Sequence, residues 1–226
     1  MCCYPVFLDL SKAICLVVGT GAVGQRKIRG LLDAGAGEIR VLALSEPDAD
    51  ACALLGCPGI SFMQRAFMPD DVVGCRLVCA ATNVPSVNVA IAEACRVNNV
   101  LCTVADAPEA GTCLIPAVIA RAPIQIGLST GGVSPALAQR IKNELDAWLT
   151  GRYEIQITLL ARLRPLLLAQ PDLDQARRAA VFHCLAAADV GAALQSGNRA
   201  WCANKLRDAL PPSLHGHIVE LLHELV

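Results

Sequence analysis

The sequence lacks an excess of basic charge: 19 lysines and arginines stand against 20 acids, giving a net charge of −1 and a pI of about 6.4. Surfaces that hold nucleic acid or anionic membranes depend on such an excess, so neither partner is expected, and an anionic ligand would have to be held by local charges. The 12 cysteines include no Cys-x-x-Cys pair. They are scattered through apolar segments, which suits reduced thiols used as small core residues in the cytoplasm rather than a disulfide framework or a structural zinc. No basic leader followed by a long apolar segment opens the sequence, and every charge-poor stretch is broken by Gly, Pro or Asn before it could span a bilayer. The expectation is a soluble, cytoplasmic protein without a membrane partner. Internal repeats and low-complexity tracts are absent as well.

With 226 residues, 54% of them hydrophobic and 17% charged, the chain can bury a sizeable core as one large domain or two small ones. Residues 13–18 (AICLVV) form a continuous apolar run ending at Gly19, the pattern of a parallel strand covered on both faces. Residues 22–34 then place Val23, Ile28, Leu31 and Leu32 on one helical face, with Gly35 as the stop. Further strands are predicted at 38–44, 60–64, 76–81 and 100–105, with a short helix at 48–56 and a helix at 86–96 that aligns Val87, Ile91 and Ala94. This alternation predicts an α/β fold with a Rossmann-like, doubly wound parallel sheet.

Beyond Asp106 the rhythm changes. Residues 124–129 read as one more strand, and TGGVSPALAQRIKNELDAWL turns through Gly131 and Gly132 into a helix with Ser134 as N-cap and Pro135 at its first position. Leu137, Ile141, Leu145 and Trp148 share one face of it. From Tyr153 onward the sequence is a leucine- and alanine-rich helical pattern broken at Pro171, Gly197 and Pro211-Pro212. The expected division is a dinucleotide-binding domain over 1–112, a small α+β segment over 113–150 and a helical region over 151–226, with a boundary at Gly151.

The strongest chemical motif is VVGTGAVGQRK, in which Gly19, Gly21 and Gly24 fit G-x-G-x-x-G between a strand and a helix. The first glycine makes the tight turn, the second admits a pyrophosphate and the third lets helix and strand pack. The amides that open the helix, at Ala22 and Val23, are then placed to bind phosphate. The second strand ends in VLALSEPD, with Leu44 and Ser45 where an acid that holds the ribose is usual and Glu46 one step later. No arginine follows to take a 2′-phosphate, which favours NAD over NADP. Ligands of open parallel sheets bind beyond the carboxyl ends of the strands, so the loops after the first strand (Gly19), the fourth (Thr82) and the fifth (Asp106) should converge on one crevice. Asp106 is then either a proton-accepting group or a cap on the Pro-containing turn that follows it.

At this point a resemblance enters. The segments YPVFLDLSKAICLVVGTGAVGQRKIRGLLDAGA, CAATN, VADAPEAGTCLIPA and STGGVSPALAQRIKNEL follow one another over about the first 150 residues. Together they resemble the precorrin-2 dehydrogenase family, including the N-terminal module of siroheme synthases. The resemblance implies NAD-dependent oxidation of precorrin-2 to sirohydrochlorin and, in some members, insertion of ferrous iron. It also implies a homodimer whose segments after the nucleotide domain intertwine, which gives residues 113–150 a dimerisation role. The aspartate matching Asp106 is the base in the family, and apolar surroundings would strengthen it in that role. Family members often carry serine where this sequence has Thr130, and the hydroxyl is kept.

Thr130, Gly131, Gly132 and Ser134 form the second candidate site, where turn amides and a helix start would receive a carboxylate of the tetrapyrrole. The same residues also suit a simple strand-to-helix turn. Arg26, Arg121, Arg140 and Lys142 either add charge for that substrate or are solvated surface residues. All four histidines, His183, His215, His217 and His223, lie late in the chain, and no cysteine or carboxylate completes a ligand spacing around them, so no metal site is expected. Two other readings stay open: a dehydrogenase that is also an iron chelatase, and a non-catalytic NAD sensor.

Overall fold

The apolar runs of the first half become one parallel sheet, because strands buried on both faces need no polar alternation. The computed structural model describes residues 3–150, 153–223 and 225; Gly151, the expected boundary, lies outside them. In chain order β1 (Ile14–Val18), α1 (Ala22–Asp33), β2 (Glu38–Ala43), α2 (Ala49–Leu55), β3 (Ile60–Gln64), β4 (Cys75–Ala80), α3 (Pro85–Val97) and β5 (Leu101–Val104) fall within a residue of their expected bounds. The strand order is β3-β2-β1-β4-β5, and every pairing is parallel. The order reverses between β1 and β4, which makes the ends of those two strands the switch point where ligands of such sheets bind.

Side chains of β1 alternate between two cores. Cys15 and Val17 pack with Ile28 and Leu31 of α1 and with Ile39 and Val41 of β2. Leu16 and Val18 face the other way, with Ile91, Ala92 and Cys95 of α3. Burial pushes the Cys79 thiol up to about 12 and the Cys15 thiol to about 11, so both stay protonated and act as small packing residues.

One strand was not visible in the sequence. β6 (Ala117–Arg121) pairs with β7 (Ile124–Leu128) across the Ala122-Pro123 turn, a two-residue connection that only antiparallel strands can use. Pro116 and Pro123 bracket β6 and obscure it as a strand. The chain forms two compact units, Met1–Ala117 with Gly127–Pro135, and Val118–Ile126 with Ala136–Val226.

The second unit is helical after its hairpin residues: α4 (Pro135–Leu149), α5 (Glu154–Leu168), α6 (Gln175–Ala187), α7 (Val190–Gln195), α8 (Arg199–Ala209) and α9 (Ile218–His223). Pro171, Gly197 and Pro211-Pro212 all fall between helices, as expected. A further break at Ala188 and Asp189 was not expected; Asp189 caps α7 by accepting from the Ala192 amide at 3.1 Å. Leu159, Leu163, Leu167, Leu185, Leu194 and Leu206 form the core. The buried Gln156 amide fills the end of α6, its Nε2 reaching the carbonyls of Leu185, Ala186 and Ala188 at 2.9, 3.0 and 3.0 Å. Those are orphan acceptors of a helix C-terminus that water would otherwise satisfy. Along α4, Ala138 and Leu149 are buried, whereas Leu137 and Trp148 of the predicted apolar face are about half exposed.

Leu163 is fully buried at the centre of this helical core. Replacing it with alanine should cost about 2–5 kcal/mol, read as a lower urea midpoint; a change under about 0.5 kcal/mol would contradict the assigned packing.

Candidate active site

The three glycines of the first loop answer to three different contacts. Gly19 has a φ of +108°, and a Cβ there would stand 2.3 Å from the Ala81 carbonyl oxygen. Its backbone therefore lies against the chain leaving β4. A Cβ on Gly24 would meet the Gly19 carbonyl oxygen at 1.9 Å, so this glycine lets α1 approach the loop. Gly21 differs: a Cβ built on it meets nothing within 4 Å. It is the N-cap of α1 and supplies no capping side chain, so the amides at the start of α1 face the open side of the loop. An open cradle above Gly21 and an uncapped helix start fit the pyrophosphate of a dinucleotide.

Polar side chains brace this loop from the buried face of α1. Gln25 is 5% exposed and donates from Nε2 to the Thr20 carbonyl at 3.0 Å and to the Asp48 carboxylate at 3.0 Å. Asp48 also caps α2 through the Ala51 amide at 2.8 Å, so one carboxylate ties the glycine loop to the segment after β2. In that segment Leu44 and Ser45 are exposed just past the end of β2, and the Leu44 carbonyl accepts from Gln64 at 3.3 Å.

At the switch point the contacts run on to the candidate base. Thr82 follows Ala81 directly, and its amide and hydroxyl both donate to Asn88 Oδ1, at 3.1 and 2.7 Å. Asn88, fully buried in α3, returns its Nδ2 to the Thr82 carbonyl at 3.0 Å and to Asp106 Oδ1 at 2.9 Å. Gly19, Thr82 and Asp106 are thus brought together at the carboxyl ends of β1, β4 and β5, in one compact unit. The loop after Asp106 is folded back on the open edge of β5. Cys102 donates to Thr112 Oγ1 at 2.8 Å and accepts from the Thr112 amide at 2.8 Å, and a Cβ on Gly111 would stand 2.7 Å from the Cys102 oxygen.

One expectation needs correction, and the second candidate site and the arginines can be given their contacts. Asp106 is exposed, not in apolar surroundings, because it lies beyond the end of β5, in the loop that leaves the sheet. The Gly131 amide is already donated to Ser129 Oγ at 3.1 Å. The Thr130 hydroxyl closes the turn on itself, donating to the Ser134 carbonyl at 3.1 Å and accepting from the Ser134 amide at 3.2 Å. Gly131 and Gly132 have φ of +64° and +84°, so the turn requires glycine for its shape. Arg121 pairs with Asp146 at 2.6 Å and Arg140 with Glu144 at 2.8 Å.

Sequence reasoning missed Gln25, Asp48 and Asn88. The signal was present: Gln25 and Asn88 each lie three residues before a buried isoleucine, Ile28 and Ile91, and so occupy core-facing positions with polar side chains. A buried amide must find partners, and both find them at the loops of the crevice. Among the described residues no group of three or more histidines, cysteines and acids is placed to hold a metal ion, and no helix is long and apolar enough to cross a membrane.

Comparison with known proteins bears directly on this geometry. A family model described as "Putative NAD(P)-binding" matches residues 6–117, and one described as "Sirohaem biosynthesis protein central" matches residues 121–147. An NAD(P)-binding segment is thus followed by a segment that matches sirohaem biosynthesis proteins. It is 37% identical over 174 residues to the siroheme synthase of Pseudomonas entomophila (strain L48), covering 76% of this chain and 37% of that protein. With the siroheme synthase of Methylococcus capsulatus it shares 36% over 160 residues, 71% of this chain and 33% of the relative. The chain thus spans about a third of the length of these relatives. Among solved structures, "SirC, precorrin-2 dehydrogenase" superposes with a TM-score of 0.74 at 24% identity, covering 91% of this chain and all of that one. That likeness establishes the fold, including a helical region after the sheet.

The glycine contacts separate binding from folding. Gly21→Ala should fold with stability within about 0.5 kcal/mol of the parent, yet lose roughly tenfold or more in NADH affinity by fluorescence titration, because its methyl enters the cradle. Gly24→Ala should be strongly destabilised, since its methyl meets backbone. Unimpaired NADH binding by Gly21→Ala would remove the glycine loop from the cofactor site.

Proposed function

We propose that this chain is an NAD-dependent dehydrogenase that oxidises precorrin-2 to sirohydrochlorin, with Asp106 as its base. The observation that carries the reading is the unbroken run of contacts from Gly19 through Thr82 and Asn88 to Asp106, which ties one carboxylate, after β5, to the switch point of a dinucleotide-binding sheet. Gly19, Gly21, Ala22, Val23 and Gly24 would hold the pyrophosphate, Leu44 and Ser45 would border the adenosine ribose, and Thr82 would border the nicotinamide end. NAD, when bound, supplies the hydride acceptor and takes no proton. Loss of two hydrogens from the macrocycle therefore releases one hydride and one proton, and the carboxylate of Asp106 takes the proton. Being exposed, Asp106 can pass that proton on to water after each turnover. The acids Glu46 and Asp48 after β2, with no arginine among them, suit a ribose 2′-hydroxyl better than a 2′-phosphate.

The turn of Thr130, Gly131, Gly132 and Ser134 would border the tetrapyrrole with a preformed shape, the Gly131 amide and the Thr130 hydroxyl being bonded within the turn. A homodimer fits the half-exposed Leu137 and Trp148 and the largely exposed Val133, apolar groups that a second copy would cover. A cytoplasmic location fits cysteines that form no disulfide among the described residues, six of them buried.

Mixing the protein with precorrin-2 and NAD should produce NADH and sirohydrochlorin absorbance in equal amounts. Binding of both reactants without NADH formation overturns the reading and leaves the sensor function. Ferrous iron added with sirohydrochlorin reports chelation separately. Asp106→Ala should lower kcat by about 10²–10⁴-fold with NAD affinity retained; undiminished turnover would exclude Asp106 as the base.

A further inference from the structure

Asn88 is a fully buried polar side chain with every hydrogen-bonding capacity used, and its partners are the two loops of the crevice. Its amide orientation is fixed by those partners. The Thr82 amide can only donate, so the group facing it is the Asn88 oxygen. The Asp106 carboxylate, when ionised, can only accept, so the group facing it is the Asn88 nitrogen. Turning the amide over would set donor against donor at Thr82 and oxygen against oxygen at Asp106. α3 thus presents one proton, in one direction, to one carboxylate oxygen.

Nothing of this kind is needed to complete the sheet. The core face of α3 is made by Ile91, Ala92, Ala94 and Cys95, and β4 is already paired with β1 and β5. A buried amide costs free energy unless it is fully satisfied, and an apolar residue at this helix position would avoid that cost. The satisfied amide instead fixes Thr82 and Asp106 in mutual register across β4 and β5.

We infer that Asn88 is the positioning residue of the reaction: it holds Asp106 Oδ1, fixing the carboxylate rotamer so that Oδ2 faces the substrate to take the proton. The inference rests on Asp106 being the base. Asn88 does not touch substrate or cofactor and acts only through the carboxylate. An exposed aspartate in a loop has free rotation about its side-chain bonds, and one well-directed hydrogen bond from a rigid buried donor removes it. The same amide, through Thr82, keeps the nicotinamide end of the crevice in line with the base.

The test uses Asn88→Asp, which preserves an oxygen for the two Thr82 donors and removes the Nδ2 that donates to the Thr82 carbonyl and to Asp106, setting a second carboxylate beside Asp106 in place of the donor. It should keep KM for NAD and for precorrin-2 within about twofold and lower kcat by roughly 10–10²-fold, the cost of a misplaced reacting group. Unchanged kcat, or KM values that rise in step with the loss, would overturn the inference. The unaltered protein gives a second readout that does not depend on the variant folding. In ¹⁵N-labelled protein the Asn88 side-chain amide signals should move with the protonation of the Asp106 carboxylate, and that movement should vanish in Asp106→Ala. Signals indifferent to Asp106 would overturn the inference even if the base reading stands. Undiminished turnover by Asp106→Ala would overturn the base reading, whatever the amide signals show.

Discussion

The close approach of backbone to backbone around Gly19 is the constraint from which the site follows. α1 can begin where it does only because Gly24 leaves room for the Gly19 carbonyl, and the end of β4 can lie beside β1 only because Gly19 leaves room for Ala81. Those two contacts set the mouth of the crevice. Everything chemical is then hung from β4: Thr82 follows Ala81, Asn88 grips Thr82, and Asp106 is held by Asn88. A side chain at either glycine would meet carbonyl oxygen rather than a flexible neighbour, so the loop has no inexpensive way to adapt.

Much of this was legible in the residues. The sheet could be read because strands covered on both faces are written as uninterrupted apolar runs, and 13–18 and 76–81 are such runs. The glycine loop could be read because its spacing carries a mechanism. Asp106 was singled out by its position alone, as an acid ending the fifth strand. Its exposure was not legible, since burial beyond a strand end depends on how the following loop folds and not on the pattern of the strand itself. Asn88 was passed over because Val87, Ile91 and Ala94 already satisfied a helical stripe, and the stripe observed is rotated to include residue 88. The hairpin strand β6 was hidden by prolines, which weaken strand signals without forbidding edge strands.

The helical unit follows a different logic. Its core is mostly leucine, all but one of the breaks between its described helices fall where proline or glycine stands, and the buried polar Gln156 closes the end of α6 rather than lining a reactive crevice. The sequence pattern forecast those helices except for the stop before Asp189, where an N-cap is supplied by a single aspartate without a proline or glycine to announce it. Buried amides at residues 25, 88 and 156 all serve the ends of other segments, but only the first two converge on the glycine loop and the candidate base.

The central claim is that the dinucleotide and Asp106 share one crevice, with the reactive ring at the β4–β5 side. A crystal structure of the protein with NAD tests it directly. The account predicts the pyrophosphate over Gly21 and the nicotinamide ring beside Thr82, within reach of a substrate that touches Asp106. A nicotinamide lying on the β2 side, beside Leu44 and away from Asp106, would contradict it.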